Sequence, residues 1–455
     1  MRRSSKTAEA GVKEGPDPGN AQTRRPAGFR KTSIPSGRIR TGGCREMLFL
    51  RISWILLIPA ILCGQEFALE DIRLYGQVRT PASVILRELR LKPGMPLDPS
   101  LLNTERDWLV RLDFLRRIDF LTRAVSDPDR RTLMIVVSEK PRFTFYPSAG
   151  WDALFGISAG VMLASDNLSG RRETLRIRAR FGGIREGRLL WSNPWMAGSL
   201  RLFTELDLGY TGFRYLYDDF EPDFFQEVYR FRWTLGRRFG RRVRIGFRGG
   251  WDRVVADDPD ALVSRGGRDT MAELGLTGEW DTRDWPFYPG RGVYAKAAVA
   301  RTRLPDGRIL RETDADLRGY LTLRADHILA FQTVVHIADG PVPVCRRVHF
   351  NDGALRGYRT GSFWGENSLT ASLEYRLPLH YERNPSANLH AGTLAVFFAD
   401  AGAAWLQSDR SGWKRLHGAA GFGIHAVWQR WVLRAEYGVN RGGRGFLTAG
   451  TDVRF

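Results

Sequence analysis

The chain has 455 residues and a formal net charge of +19; it is 43% hydrophobic and 12% aromatic, with 49 glycines. No run of about 18 or more apolar residues occurs, which excludes a membrane-spanning helix in the mature chain but not a membrane β-barrel, whose strands show only alternate residues to lipid. Residues 1–46 hold eleven Lys/Arg and four Asp/Glu, +7 of the total; the remaining +12 is interspersed with acids and glycines rather than gathered on one face, so no nucleic-acid partner is expected.

Residues 1–46, rich in Arg, Pro, Gly and Ser, read as disordered or as a mis-assigned start ahead of Met47. Residues 47–64 have the form of a secretory signal peptide: Arg51, an apolar run from Ile52 to Leu62, then small residues, with cleavage expected after Gly64. A buried core helix would fit the apolar run but not its place ahead of every other element. Cys63 suggests lipidation, although Leu62 is large for the position before a lipidated cysteine. Cys44, Cys63 and Cys345 form no CxxC and no metal spacing with histidine. Once the leader is removed Cys345 stands alone, so no intramolecular disulfide is expected.

Residues 66–141 read as a small α/β domain of order β-α-α-β-β. FALEDIRLYGQV alternates around Ile72 and Leu74 and turns at Gly76. Thr80-Pro81 starts a short helix, ASVILRELRL, since Thr caps and Pro suits a first turn. KPGMPLDPS is a turn, and SLLNTERDWLVRLDFL is a second amphipathic helix. RRIDFLTRAV and TLMIVVSEKP are strands separated by SDPDR.

From 142 to 455 the pattern is a strand of about ten residues followed by a turn, sixteen times over. Leu175, Ile177, Ala179 and Phe181 fall on one face of their strand, Arg176, Arg178 and Arg180 on the other. Leu369, Ala371, Leu373, Tyr375 and Leu377 oppose Thr370, Ser372, Glu374 and Arg376 in the same way. An arginine row in a dry core is very costly, which argues against a soluble β-sandwich or propeller; a wet lumen accepts it while the apolar row faces lipid. The expected fold is therefore a transmembrane antiparallel β-barrel of sixteen strands, 142–455, preceded by the small domain. Short and long connections alternate, with LHYERNPSANLH (379–390) a long exception at the short-turn end.

Enzyme motifs are missing. GFGIHA (421–426) lies in a strand pattern and is no dinucleotide fingerprint, no G-x-S-x-G occurs, and the seven histidines show no ligand spacing. No catalytic residue, metal or cofactor is expected. One feature does stand out. The connection between the eleventh and twelfth strands, about 339–367, is the longest in the barrel and contains GALRGYRTGSFWGEN. Loops of that length inside a compact domain are usually functional. Read alone, its Arg356 would be a solvated loop arginine.

IRLYGQVRT, LKPGMPLD, LRRIDF and VVSEKP in residues 66–141 resemble a POTRA domain. A POTRA domain, sixteen barrel strands and LRGY (355–358) in the sixth outer loop together are similar to the BamA/TamA-type outer-membrane assembly superfamily, which takes in the bacterial surface antigen family and the two-partner secretion transporters. DNLSGRRE (166–173), NPWMAG (193–198), DTRDWPFYPGRG (281–292), FFADAGAAW (397–405) and GTDVRF (450–455) extend the resemblance over about 390 residues. Leu355 departs mildly from the family's V/I-R-G-F/Y.

The resemblance implies that the loop folds back into the lumen, where Arg356 meets an acidic residue of the wall. Asp400 matches the family's position, and Glu374 is a second candidate. Gly357 would permit the bend and Tyr358 would pack inside. The resemblance also implies a seam between first and last strands at which incoming strands add. Pro147 and Gly150 in the first strand would weaken it, because proline removes a ladder donor. Val453 and Phe455 fit the terminal signal by which such a barrel is itself inserted.

The expected function is that of an outer-membrane protein assembly or insertion factor. Its POTRA domain would sit in the periplasm and bind substrate or partner. Expected partners are unfolded outer-membrane proteins, periplasmic chaperones or accessory lipoproteins, and the lipid bilayer. Two alternatives stand beside it. A secretion channel for a dedicated exoprotein would usually bring two POTRA domains and a plug helix, and a passive porin would need neither POTRA nor LRGY.

Overall fold

The structure, a computed structural model, describes residues 67–152, 154–217, 223–350, 354–384, 389–409, 411–429 and 431–451. The 46 N-terminal residues, the expected signal peptide, Val453 and Phe455 lie outside the described residues.

The small domain runs β1 (Ala68–Tyr75), α1 (Ala82–Leu86), α2 (Pro99–Val110), β2 (Leu115–Ala124) and β3 (Arg130–Glu139). β3 is central, parallel to β1 and antiparallel to β2. Asp98 caps α2 by accepting from the Ser100 amide, and Pro99 occupies the first turn. Leu69, Ile85, Leu109, Leu115, Ile118 and Leu133 close the core. α1 is shorter than its amphipathic pattern suggests. After Leu86 the chain tightens into turns in which the Glu88 and Leu89 amides donate to Ile85 and Leu86 carbonyls at 3.0 Å.

One antiparallel sheet of sixteen strands follows: β4 (Thr144–Asp152), β5 (Gly156–Ser165), β6 (Thr174–Gly182), β7 (Ile184–Ala197), β8 (Leu202–Tyr215), β9 (Phe224–Phe239), β10 (Val243–Ala256), β11 (Arg268–Asp281), β12 (Gly292–Arg303), β13 (Ile309–Thr322), β14 (Ile328–Asp339), β17 (Asn367–Asn384), β18 (Leu389–Trp405), β19 (His417–Trp428), β20 (Trp431–Asn440) and β21 (Gly445–Gly450). The intervening β15 (Val348–His349) and β16 (Trp364–Gly365) form a two-residue ribbon within the long loop. Every strand expected from the alternation is present. Most run longer, because ladder pairing continues past the apolar band. The long connection expected at 379–390 is mostly strand: after a bulge at Pro378/His380, β17 and β18 stay paired out to Asn384 and Leu389.

The two faces separate by chemistry. Ile177, Phe181, Leu373 and Leu447 point out and are well exposed, whereas Glu374 and Arg376 point in and are buried. Arg176 pairs inside with Asp166, and Arg178 and Arg180 share Glu186. No described helix is long and apolar enough to cross a membrane; the strands do so. β4 and β21 are the ends of the sheet, and among the described residues no ladder joins them. Pro147 and Gly150 of β4 pair on their other side with Val161 and Ser158 of β5. Across the gap the Tyr146 ring lies 5.0 Å from that of Trp431 at the start of β20.

The small domain is bolted to the short-turn end. Asn167 donates to the Thr80 hydroxyl at 2.7 Å. Glu88 accepts from the Trp195 indole at 2.8 Å and pairs with Arg172 at 2.8 Å. Glu105 takes both arms of Arg241, at 2.9 and 2.6 Å, and Arg111 reaches Asp281 at 3.3 Å. Stretches 166–173, 193–198 and 281–292 thus each supply a contact. At the other end Tyr215, Phe224, Leu262, Leu304, Leu310 and Val344 gather the long loops into an apolar cluster.

Candidate functional site

The long loop leaves β14, crosses that apolar cluster and turns down against the inner wall. Its tip is buried: Leu355 is 1% exposed and Arg356 0%. An unpaired guanidinium cannot be held there, since desolvating a charge costs several kcal/mol. Arg356 is fully matched. Nε and Nη2 each donate to an Asp400 oxygen at 2.8 Å, the planar fork that suits a carboxylate. Nη1 reaches Glu374 at 2.7 Å and Glu436 at 2.6 Å, and Nη2 also donates to Ser372 at 3.0 Å. The Phe398 ring lies under the guanidinium, 3.5 Å from centroid to carbon. The two acidic residues expected around Arg356, Asp400 and Glu374, are therefore both in contact with it at once.

Sequence reading missed a third acid, Glu436, and two further bases. Arg376 donates to Glu374 at 2.9 Å, and Arg434 to Glu436 at 3.2 Å. Among the described residues, three carboxylates thus face three guanidiniums in a buried cluster. Glu436 and Arg434 share the inward parity of β20, so alternation gives their face. The meeting of Glu436 with Arg356 depends on wall curvature, which alternation does not encode.

The tip needs glycine twice. Gly357 has φ +86°, a left-handed turn, and its carbonyl accepts from Asn440 at 3.0 Å. Gly438 on β20 faces it: a Cβ there would lie 2.7 Å from the Gly357 nitrogen. Gly438→Ala is expected to lift the tip and loosen the loop, read as faster trypsin cleavage within residues 354–366. Gly278→Ala, whose added Cβ meets nothing within 4 Å, should leave cleavage unchanged. Tyr358 donates to the Gly418 carbonyl at 3.1 Å and packs on Phe363, which stacks on His417.

A second anchor holds the loop's base. Arg346 pairs with Asp252 of β10 at 2.8 Å and with Glu273 of β11 and Glu312 of β13 at 3.3 Å. The loop is therefore tied to two different parts of the wall, β10–β13 and β17–β20. Burial pushes the thiol of neighbouring Cys345 up to about 12, against thiolate formation. Among the described residues no cluster of His, Cys, Asp and Glu could hold a metal.

Residues 167–439 match the Omp85 superfamily domain. The outer membrane protein assembly factor BamA of Nitratidesulfovibrio vulgaris is 23% identical over 314 residues, 65% of this chain and 38% of that protein. This chain thus spans less than two fifths of that relative's length. Among solved structures, BamA from Haemophilus ducreyi lacking POTRA domains 1–3 superposes with a TM-score of 0.55 at 17% identity, covering 85% of this chain and 84% of that one. CdiB from Escherichia coli gives 0.55 at 12% identity, over 85% and 75%. At such identities the likeness is one of fold.

Proposed function

The chain belongs to the Omp85 superfamily, and on that premise we propose that it is an outer-membrane protein assembly or insertion factor. The observation that carries the reading is the docking of Arg356 onto β17, β18 and β20, the wall that ends at β21, which has no ladder to β4 among the described residues. A docked loop holds those strands in register while the edge beside them stays available. An incoming strand pairs with that edge and satisfies backbone groups that lipid cannot. The small domain acts as a POTRA domain in the periplasm, where it receives unfolded outer-membrane proteins with the help of chaperones or accessory lipoproteins. The apolar loop cluster supports this reading over a passive porin, because it lies across the long-loop mouth.

In the test, the protein is reconstituted in liposomes and the folding of a separate small barrel protein is followed. Accelerated folding is expected. Clear single-channel conductance with no acceleration would instead favour a secretion channel for a dedicated exoprotein. The seam is open to a more direct check. Cysteines replacing Tyr146 on β4 and Trp431 on β20, whose rings lie 5.0 Å apart across the gap, are expected to be bridged by a short reducible bis-thiosulfonate and to stop the acceleration, which should return on reduction. Full activity in the cross-linked protein would rule out strand addition at this edge.

A further inference from the structure

The turn joining β11 to β12, residues 282–291, does not stay at its own part of the wall. Trp285 stacks on His390 with ring centroids 3.8 Å apart and packs with Leu394, Val427 and Val432. Those residues belong to β18, β19 and β20, whereas β13, β14 and β17 stand between β12 and β18 in the sheet. At about 4.8 Å per strand that is roughly 19 Å of wall. The turn therefore lies across the short-turn mouth, with Trp285 and Tyr288 3% and 2% exposed.

Tyr288 meets the cluster around Arg356 from below, along two routes. Its hydroxyl is 3.0 Å from His425 Nδ1, and His425 Nε2 is 3.2 Å from the Glu436 oxygen that also binds Arg356. With the Nε2 proton directed at Glu436, Nδ1 accepts from the phenol, so a neutral imidazole satisfies both neighbours. Along the second route the Arg376 guanidinium lies over the Tyr288 ring at 4.4 Å and donates to the Pro289 carbonyl at 3.4 Å. Arg376 holds Glu374, which holds Arg356.

We propose that residues 282–291 form a second arm of the loop lock, in which Tyr288, His425 and Arg376 are positioning residues that aim Glu436 and Glu374 at Arg356. The turn from one end of the barrel and the loop from the other then dock and release together. The coupling must be reciprocal: loosening either segment loosens the other by the same factor. It deepens the loop's part in the proposed function but does not require insertion activity.

The test is limited trypsin digestion of the full mature chain in detergent, with cleavage sites read by mass spectrometry. The Arg356–Gly357 bond is protected while docked, and the Arg283–Asp284 bond reports the turn. Tyr288→Phe keeps the ring beneath Arg376 and removes only the hydroxyl. It should speed cleavage after Arg356 about five- to tenfold, the usual effect of one lost hydrogen bond in a charged network. Tyr375→Phe removes a Tyr–His hydrogen bond to His327 outside the cluster and should leave that rate unchanged. Arg356→Lys, the reciprocal arm, should speed cleavage after Arg283 by a comparable factor. If Tyr288→Phe cleaves like wild type, or if Arg356→Lys leaves the turn protected, the proposal fails. Heat-modifiable migration on gels checks that each variant is a folded barrel; if Tyr288→Phe does not fold, the Arg356→Lys arm decides alone. A coupled lock in a protein without insertion activity would keep this inference and remove the proposed function.

Discussion

Arg356→Ala is expected to release the loop and remove most of the acceleration of client folding. The substitution leaves Asp400, Glu374 and Glu436 in a dry pocket with one guanidinium fewer. Removing one partner from a buried ion cluster typically costs about 3–5 kcal/mol, a hundred- to several-thousandfold shift toward the undocked loop. Glu374 and Glu436 keep Arg376 and Arg434, while Asp400 keeps the Ser372 hydroxyl. The barrel should therefore still fold, and the loss should fall on docking. Arg356→Lys should recover only part of it, because a compact ammonium cannot fork to Asp400 and reach Glu374 and Glu436 as well. The measurement is the folding rate of a small barrel in liposomes, with trypsin sensitivity of residues 354–366 as the structural readout. Unchanged rates with an undocked loop would separate the lock from the activity. Arg346→Ala should cost less, since Asp252 and Glu273 also pair with Arg230, Arg232 and Arg248.

Glu88→Ala is expected to free the small domain from the barrel. Glu88 is 1% exposed and stands among Arg172, Arg238 and the Trp195 indole, while Arg87 and Arg238 lie over the Trp195 ring. Without its carboxylate these arginines repel one another at short range, a loss again of about 3–5 kcal/mol. Spin labels at Arg123 of the small domain and Gly240 of the β9–β10 turn should give a narrow distance distribution in wild type and a broad one in the variant.

The same group sets an acid limit. Burial alone would raise the Glu88 pKa, but attraction to Arg172 and Arg238 and the Trp195 hydrogen bond outweigh it and hold it at about 2, against an ordinary value of 4.5. A depressed carboxylate pKa stabilises docking above the ordinary value, and that stabilisation is lost as pH falls toward the folded one. The window is therefore pH 4.5 down to about 2, and the contribution is about 3 kcal/mol. Glu88→Gln should weaken docking at neutral pH and flatten its pH dependence in that window. An equal pH dependence in wild type and Glu88→Gln would assign the acid limit to other groups.

The strands were legible because a two-residue period in Leu, Ile and Phe against Arg, Glu and Thr is written locally. Turn chemistry and composition likewise marked the small domain's five elements. Arg356, Asp400 and Glu374 were legible only through resemblance, since nothing local distinguishes this loop arginine from a solvated one. Glu436, Arg376, Arg434, His425 and Tyr288 were out of reach for a different reason. Each follows its strand or turn pattern unremarkably, and their meeting depends on how the sheet curves and which turn crosses the mouth. The docking role of Glu88 and Glu105 was hidden in the same way, because the barrel residues that meet them, Arg172, Trp195 and Arg241, are distant in the chain. By itself the sequence determined the wall, its two faces and the order of its elements, because those depend on neighbours in the chain. Only the tertiary structure decided which charges are buried together, because a dry guanidinium is stable only where separate strands bring it several carboxylates at once.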